Sequence, residues 1–421
     1  MSKLYIFNPT NELAIADGGK GYIPSKYLAE FESNLDTLPF LFASPNDYVL
    51  VDNIPDKNWL ESFSSREIPL PKFLKKEDLM LLIKSQEVVI EDITPWGWSP
   101  RMIKRVEEII RLSPSIDLNL PNYRWTSKHK SVYGRETALK ALKFIVQDYP
   151  NREKLIHDNM FPVKACKVAE IDDFLKLNKK IVVKSPHSSS GKGIVMLQKP
   201  VLNRQNVDWI LGAIKQSGYV MVEPFFNILN HFSIQFYNDK AQCRRVAFGA
   251  FSCNSKGGYE CNFIGGVEVL PKVKQFVNDI DIGLIADILS DALKKLEIGN
   301  YYNGYLGVDM FLCEHQNGEL FLHPCVEINL RQNMGLAAHY LLPWIADNHV
   351  GRFRIINKTC VPNNDIIGFI NSNSPQWSKN KLQGGLIALT PPLNKNHVAI
   401  AEICCVSNNE NVLTFSDIIP I

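Results

Sequence analysis

Little in this sequence favours a nucleic acid or a membrane as partner. Among 421 residues, 46 Lys and Arg face 44 Asp and Glu, for a net charge of +2. A nucleic-acid binder usually carries a marked basic excess. No apolar run approaches the ~18 residues of a membrane span. The opening stretch, MSKLYIFNPTNELAIADGG, has an apolar patch broken by Asn, Pro and Glu. It lacks the basic start, long apolar core and small-residue cleavage site of a secretory signal. The nine cysteines include no CxxC pair, and Cys404 and Cys405 are adjacent. That pattern fits reduced thiols in a cytosol and argues against a disulfide framework or a zinc site. A cytoplasmic protein is expected, acting on small molecules. There is no internal repeat and no low-complexity segment. Nothing in the composition speaks to oligomeric state.

What is present is the make-up of a globular protein, 45% hydrophobic and 21% charged, long enough for two or three domains. Residues 1–125 read as an α/β domain, with strand candidates KLYIF, DYVLV and EVVIEDI. PWGWSP, from Pro95 to Pro100, is a turn, and Pro100 is placed to open a helix. Residues 126–350 alternate helices and strands, in two parts of about 126–220 and 221–350. The helix candidates include SVYGRETALKALKFIVQDYP, with Leu139, Leu142 and Ile145/Val146 on one face. Another is RQNVDWILGAIKQSG, closed by Gly218. NGYLGVDMFLCE and GELFLHPCVEINL read as paired strands around HQNG, where Asn317-Gly318 signals a hairpin. Pro343 kinks or divides a helix through GLAAHYLLPWIADN. Residues 351–421, with strand-like DIIGFINS, GLIALTPP and VAIAEICCV, read as a small β-rich extension packed back on the body. The fold class is mixed, α/β at the N-terminus and α+β beyond it.

IVVKSPHSSSGKGIVML, from Ile181 to Leu197, has the glycines, hydroxyls and lysines of a phosphate site. It is not a P-loop. The upstream glycine of that pattern is missing, Gly193 stands where Ser or Thr is required, and a strand pattern follows in place of a helix. The layout is strand, small polar loop, strand. Such a hairpin can fold over a triphosphate and offer it backbone N–H groups and hydroxyls. Lys184, at the end of the incoming strand, can meet a phosphate as a point charge. A surface hairpin with a solvated lysine fits the stretch equally well when it is taken alone.

The hairpin around HQNG carries Asp309 on one strand, and Glu327 and Asn329 on the other. Two carboxylates and an amide oxygen are hard donors suited to Mg²⁺. A two-residue turn at Asn317-Gly318 would pair Asp309 with Val326 and turn Glu327 to the opposite face. A shared face therefore requires a three-residue loop or a bulge at Pro324. The alternative is a buried acid bonded to backbone, but carboxylates inside apolar strands are costly unless a cation or partners satisfy them. YVMVEPFF, ending in Glu223-Pro224, suits the wall of an adenine slot, or a core strand that reaches the surface at Glu223.

In this order, a strand lysine with a Ser/Gly hairpin, a V-x-V-E strand, an Asp strand and E-x-N resemble the ATP-grasp superfamily, over about residues 127–346. The resemblance implies two α+β subdomains that clamp ATP. It implies that Lys184 contacts the α- and β-phosphates and that Ser188, Ser189, Ser190, Gly191, Lys192 and Gly193 form the loop over them. Met221, Val222 and Glu223 match the adenine-binding linker. NHFSIQF matches the stretch where an acidic residue usually holds the ribose, and this chain has His231 there. Asp309, Glu327 and Asn329 match the magnesium ligands. Arg331 is similar to the arginine that often follows E-x-N and stabilises a transferring phosphoryl group or an acyl phosphate. For the family's earlier phosphate-binding lysine the candidates are Arg135 and, as an alternative, Lys167. NPTNELAI is a candidate substrate loop, or an Asn-Pro turn with a capped helix. CNSKGGYECNFIGG is placed to close over the substrate side.

The implied activity is an ATP-dependent ligase, with Mg²⁺ or Mn²⁺, that joins a carboxylate to an amine or thiol through an acyl phosphate. The rivals are a small-molecule kinase on the same scaffold and a non-catalytic nucleotide- or peptide-binding protein.

Overall fold

The computed structural model describes residues 2–188, 193–198, 202–240, 242–255, 257–265, 276, 279–315 and 317–405. Among them no helix is long and apolar enough to cross a membrane. The strands form three sheets. The first is N-terminal and parallel: β1 (Lys3–Ile6), β2 (Tyr48–Leu50), β3 (Lys72–Leu74) and β4 (Asp92–Pro95), in the order β3-β2-β1-β4. EVVIEDI contributes only its last residues to β4. The sequence reading passed over β3, whose three residues are too few to show alternation. Helices α1 (Asn11–Asp17), α2 (Lys26–Asn34), α3 (Lys57–Ser64) and α4 (Lys76–Lys84) fill the connections. After β4, α5 (Pro100–Leu112) starts at Pro100 as expected, and Ser99 caps it by accepting from Met102 N.

Two helices, α6 (Ser127–Val132) and α7 (Arg135–Asp148), lead into the second sheet. It is antiparallel, in the order β5-β8-β6-β7, from β5 (Val163–Ala165), β6 (Lys180–Lys184), β7 (Ile194–Gln198) and β8 (Val220–Pro224). Helices α8 (Val168–Leu177) and α9 (Arg204–Ser217) cover it. Ile171, Leu175, Ile181, Val183, Ile210 and Val222 give it a core of its own. Gly218 ends α9 in the left-handed region, φ 82°.

The third sheet is antiparallel and nine-stranded. Its first part holds β9 (Asn227–Asn238), β10 (Cys243–Cys253), β11 (Tyr259–Ile264), β12 (Gly304–Glu314) and β13 (Leu320–Asn329). Its second part holds β14 (His349–Asn357), β15 (Gln376–Ser378), β16 (Lys381–Ala388) and β17 (His397–Cys405). The order is β13-β12-β9-β10-β11-β14-β17-β16-β15. The C-terminal strands thus continue the central sheet: Asn262 pairs with Phe353, and β14 runs against β17 from His349↔Cys405 to Asn357↔His397. They also share a core with the N-terminal sheet, where Tyr5, Phe7 and Trp96 cluster with Leu389, Ala399 and Ala401. DIIGFINS is a helix (Ile366–Ser372) rather than a strand. Asp365 accepts from Gly368 N and so caps a segment whose β-branched content pointed the other way. Pro343 falls in a 3₁₀ turn, Leu342–Trp344, after a helix that ends at Leu341.

Candidate functional site

One cavity of about 610 Å³ is lined by residues of both antiparallel sheets and of the N-terminal region. It brings together Arg135, Lys184, Ser188, Glu223, His231, Asp309, Glu327, Asn329 and Arg331. Ser189, Ser190, Gly191 and Lys192 lie outside the described residues.

The acid pair is set by strand register. His315 N donates to Glu319 O at 2.8 Å, so three residues separate the strands at the turn. A second irregularity follows: Phe311 pairs with His323, whereas Asp309 pairs with Glu327. The three-residue loop restores the parity, and the bulge across Pro324–Val326 slides Glu327 directly opposite Asp309. Both of the irregularities that the sequence allowed are present. Asp309 has Ser233 of β9 on its other side. Burial, then the facing Glu327, push the Asp309 carboxyl up to about 7. Among the described residues no three His, Cys, Asp or Glu side chains converge as a metal cluster. The donor set is two carboxylates and an amide. A half-buried pair of hard, mutually repelling oxygens fits a small divalent cation. Asn329 Nδ2 donates to Asp309 Oδ2 at 2.9 Å, and its Oδ1 accepts from Arg331 Nη2 at 2.9 Å. For the amide oxygen to serve as a ligand, this amide must turn over.

The cations come from β6, from α7 and from the segment after β13, which carries Arg331. Lys184, at the end of β6, is buried and ion-paired with Glu223 of the adjacent strand. Arg135 opens α7 and meets Glu327 Oε1 through Nη2 at 3.0 Å. Its Nε donates to Ser185 O at 3.1 Å, and Nη2 reaches Ser188 Oγ at 3.4 Å. Nη1 makes no hydrogen bond among the described residues. Arg135 therefore touches the hairpin and the acid pair together. Lys167, the alternative, is an exposed residue at the start of α8, away from the cavity wall. Gly193 closes the hairpin by accepting from Ser185 N at 2.8 Å. A Cβ there would sit 2.2 Å from Ser188 Cβ, so the close approach requires glycine.

Met221 and Val222 are not on the cavity wall. They lie inside β8 with β5 and β6 on either side, and the sheet takes their backbone. The wall starts at Glu223, whose only strand neighbour among the described residues is β6, and continues through Phe225 and Phe226. His231 reaches the cavity and stacks on Phe251, with ring centroids 5.1 Å apart. Burial, then Lys184, push its pKa down to about 4, so the ring is neutral.

No family model and no curated protein matches the chain. Several solved structures are similar over nearly all of it. An N5-carboxyaminoimidazole synthetase from Staphylococcus aureus complexed with ADP is 12% identical, covering 97% of this chain and 93% of that chain, at a TM-score of 0.47. A biotin carboxylase–ATP complex from Campylobacter jejuni is 11% identical, covering 96% and 87%, at 0.48. An L-amino acid ligase from Bacillus licheniformis is 11% identical, covering 97% and 94%, at 0.44.

Sequence reading missed how the N-terminal region enters the site. Glu12, in NPTNELAI, pairs with Arg331 Nε at 2.7 Å. Arg331 Nη1 also donates to Gln332 O at 3.2 Å, which, among the described residues, leaves one N–H on each terminal nitrogen for a ligand. The PWGWSP turn explains the rest. Gln332 N donates to Trp96 O at 2.9 Å, and Gly97 bridges to Arg331. Asn8 clasps Gly97, donating to its O at 2.6 Å and accepting from its N at 3.2 Å. A Cβ on Gly97 would fall 2.3 Å from Asn11 Cγ. A glycine between two tryptophans, beside an Asn-rich loop, was the available signal. Ser233, Gln235 and Asn333 form a further buried chain, Gln235 Nε2 to Ser233 Oγ at 2.8 Å and Asn333 Nδ2 to Gln235 Oε1 at 2.6 Å. Ser233 and Asn333 also line the cavity.

Proposed function

We propose that this chain is an ATP-grasp enzyme, a ligase that uses ATP and Mg²⁺ (or Mn²⁺) to join a carboxylate to an amine or thiol through an acyl phosphate. The observation that carries this reading is the meeting of Lys184 and Arg135 with the Asp309–Glu327 pair in one cavity, at the end of the β6–β7 pair.

Asp309 and Glu327 would hold the cation, with Asn329 available once its amide turns. Bound there, it would supply charge neutralisation to the phosphates. The chain's own residues do the positioning. Lys184, fixed by Glu223, presents its remaining ammonium protons to phosphate oxygens. Arg135 offers Nη1, and Arg331 offers its two uncommitted N–H groups, where negative charge develops. In the first step a carboxylate oxygen bonds to the γ-phosphorus and the bond to ADP breaks. In the second the amine attacks the acyl carbon, phosphate leaves, and the nitrogen releases one proton. No side-chain nucleophile is needed.

The test is ADP release from ATP with pooled carboxylates and amines. ADP formation that requires both an acid and an amine supports the ligase. Formation with a single hydroxylated acceptor supports a kinase instead. Tight ATP binding with no turnover on any pair supports a non-catalytic role.

A further inference from the structure

A second cavity, of about 600 Å³, shares no lining residue with the first. Its size is that of a small-molecule pocket. β1 supplies Lys3 and Tyr5, the segment before β2 supplies Asp47, and the central sheet supplies Tyr237, Arg244 and Tyr305. Strand pairing sets the central part. Tyr237 of β9 stands between Tyr305 of β12 and Arg244 of β10, so the three side chains share one face of the sheet. The two tyrosine rings meet edge to face at 4.9 Å, and the Arg244 guanidinium carbon lies 5.6 Å from the Tyr237 ring centroid. Tyr237 and Tyr305 are only half-buried, so ring surface faces the space.

Among the described residues Asp47 is the only acid on this lining, and both of its oxygens are committed. Oδ1 accepts from Lys3 N at 2.8 Å, and Oδ2 from Ser44 N at 2.7 Å and Ser44 Oγ at 2.8 Å. Lys3 alternates with Leu4 and so shares the face of Tyr5. The Lys3 ammonium and the Arg244 guanidinium have no hydrogen bond or ion pair among the described residues. The two charges converge on one phenol: burial and Tyr340 push the Tyr305 pKa up, and Lys3 and Arg244 both pull against that. Asp92, the strand partner of Lys3, lies off the lining and accepts from Thr94 Oγ1 at 3.3 Å and Tyr123 Oη at 3.4 Å. Arg245 touches the lining but pairs with Phe236, on the opposite face of the sheet. Its Nη1 lies 3.4 Å from where a Cβ on Gly283 would stand, on the helix Ile282–Lys295. Lys3 and Arg244 against Asp47 leave the cavity with a surplus of one positive charge.

We infer that this second cavity binds a small aromatic carboxylate, its anion held between Lys3 and Arg244 and its ring packed on Tyr237 and Tyr305. A guanidinium fork matches a carboxylate, and tyrosine rings offer a flat ring stacked or edge-on contact. The surplus of one charge suits a monoanion, since a dianion would meet Asp47 as an added repulsion. The inference does not depend on the ligase reading.

Calorimetry on the full chain at fixed ionic strength tests it, with benzoate, acetate and benzylamine as probes, each titrated without and with excess MgADP. Benzoate should bind at least roughly tenfold tighter than acetate, which lacks the ring. Benzylamine, with the ring and the opposite charge, should not bind. MgADP should leave the benzoate affinity unchanged, because the first cavity is separate. Arg244→Gln and Lys3→Met should each weaken benzoate by about threefold to tenfold, the loss of one solvent-screened charged contact. Arg245→Gln should not, since that guanidinium lies on the other face. Arg244 and Arg245 are exposed, so neither change opens the core. Melting curves identify any variant that does not fold, and the three probes on the unaltered chain stand without the variants. No benzoate binding, acetate or benzylamine binding as tightly as benzoate, or loss of benzoate binding on adding MgADP, overturns the inference. Equal losses in the Arg244 and Arg245 variants, or none in Arg244→Gln, overturn the assignment to this cavity.

Discussion

Glu12 and Arg331 lie 319 residues apart in the chain and meet as an ion pair at 2.7 Å, inside the cavity wall. Burial pushes the Glu12 carboxyl up, and Arg331 opposes that. The pair ties the N-terminal region to the strand that carries Glu327. Glu12→Gln keeps the shape and removes the charge that orients the guanidinium. Turnover should fall by more than about tenfold, the loss of roughly one charged hydrogen bond, while ATP affinity stays near that of the parent. Steady-state kinetics and nucleotide titration check both.

The acid pair should show opposite effects on stability and function. Asp309 and Glu327 face each other with one cation, Arg135, bonded to Glu327. Asp309→Asn relieves a half-buried like-charge contact, so its melting temperature should hold or rise. Mg²⁺-dependent ATP binding should be lost, as also in Glu327→Gln. Unchanged Mg²⁺-dependent affinity in both variants would remove the metal assignment.

Lys184 and Glu223 test a buried pair from both sides. Lys184→Met alone strands a buried carboxylate, at a cost of about 3–5 kcal/mol. Changing Glu223→Leu as well should restore most of the stability, since an apolar replacement of a buried pair is near neutral. ATP binding should stay weak in both. Denaturant unfolding separates the two readouts. Recovery of ATP binding in the double variant would show that Lys184 serves only to neutralise Glu223.

A pH effect is expected away from the site. Asp36 is buried, and its Oδ2 accepts from Asp52 N at 2.7 Å. Burial pushes its pKa from 3.8 up to about 7. Between those values the folded chain keeps a proton that the unfolded chain releases. Its contribution to stability therefore falls as pH rises from about 4 to about 7, then levels off. Asp36→Asn should flatten that slope. Urea unfolding at several pH values measures it.

Local patterns made the hairpin, the strand lysine and the acid strands legible, because side-chain alternation and turn chemistry act over a few residues. The need for an irregular β12–β13 pairing followed from parity alone, although parity could not foresee that loop and bulge would occur together. The Asn8–Gly97 clasp and the Glu12–Arg331 pair were not legible, since each joins distant segments without a periodic mark. The same holds for β14 and β17, whose pairing draws the C-terminal residues into the central sheet. At Asp365 a single capping side chain outweighed β-branched propensity. At Met221 and Val222 the backbone was expected to meet the edge of an adenine, whereas β5 and β6 pair with β8 on both sides there.

The four-stranded sheet meets the rest of the chain at two crossings, Phe161–Pro162 before β5 and Phe225–Phe226 after β8. Val163 and Val222 are strand partners, so these crossings run side by side and form one hinge. A proline adjoins each, Pro162 and Pro224, and fixes the backbone there. A rotation about this line would shift Lys184 relative to the acid pair while the core beneath β6 and β8 stays intact. Arg135, bonded to Ser185 beside β6 and to Glu327 of β13, links the two sides. An anion that drew the guanidinium from Glu327 would free that carboxylate and loosen a link between Ser185 and β13 at the same time.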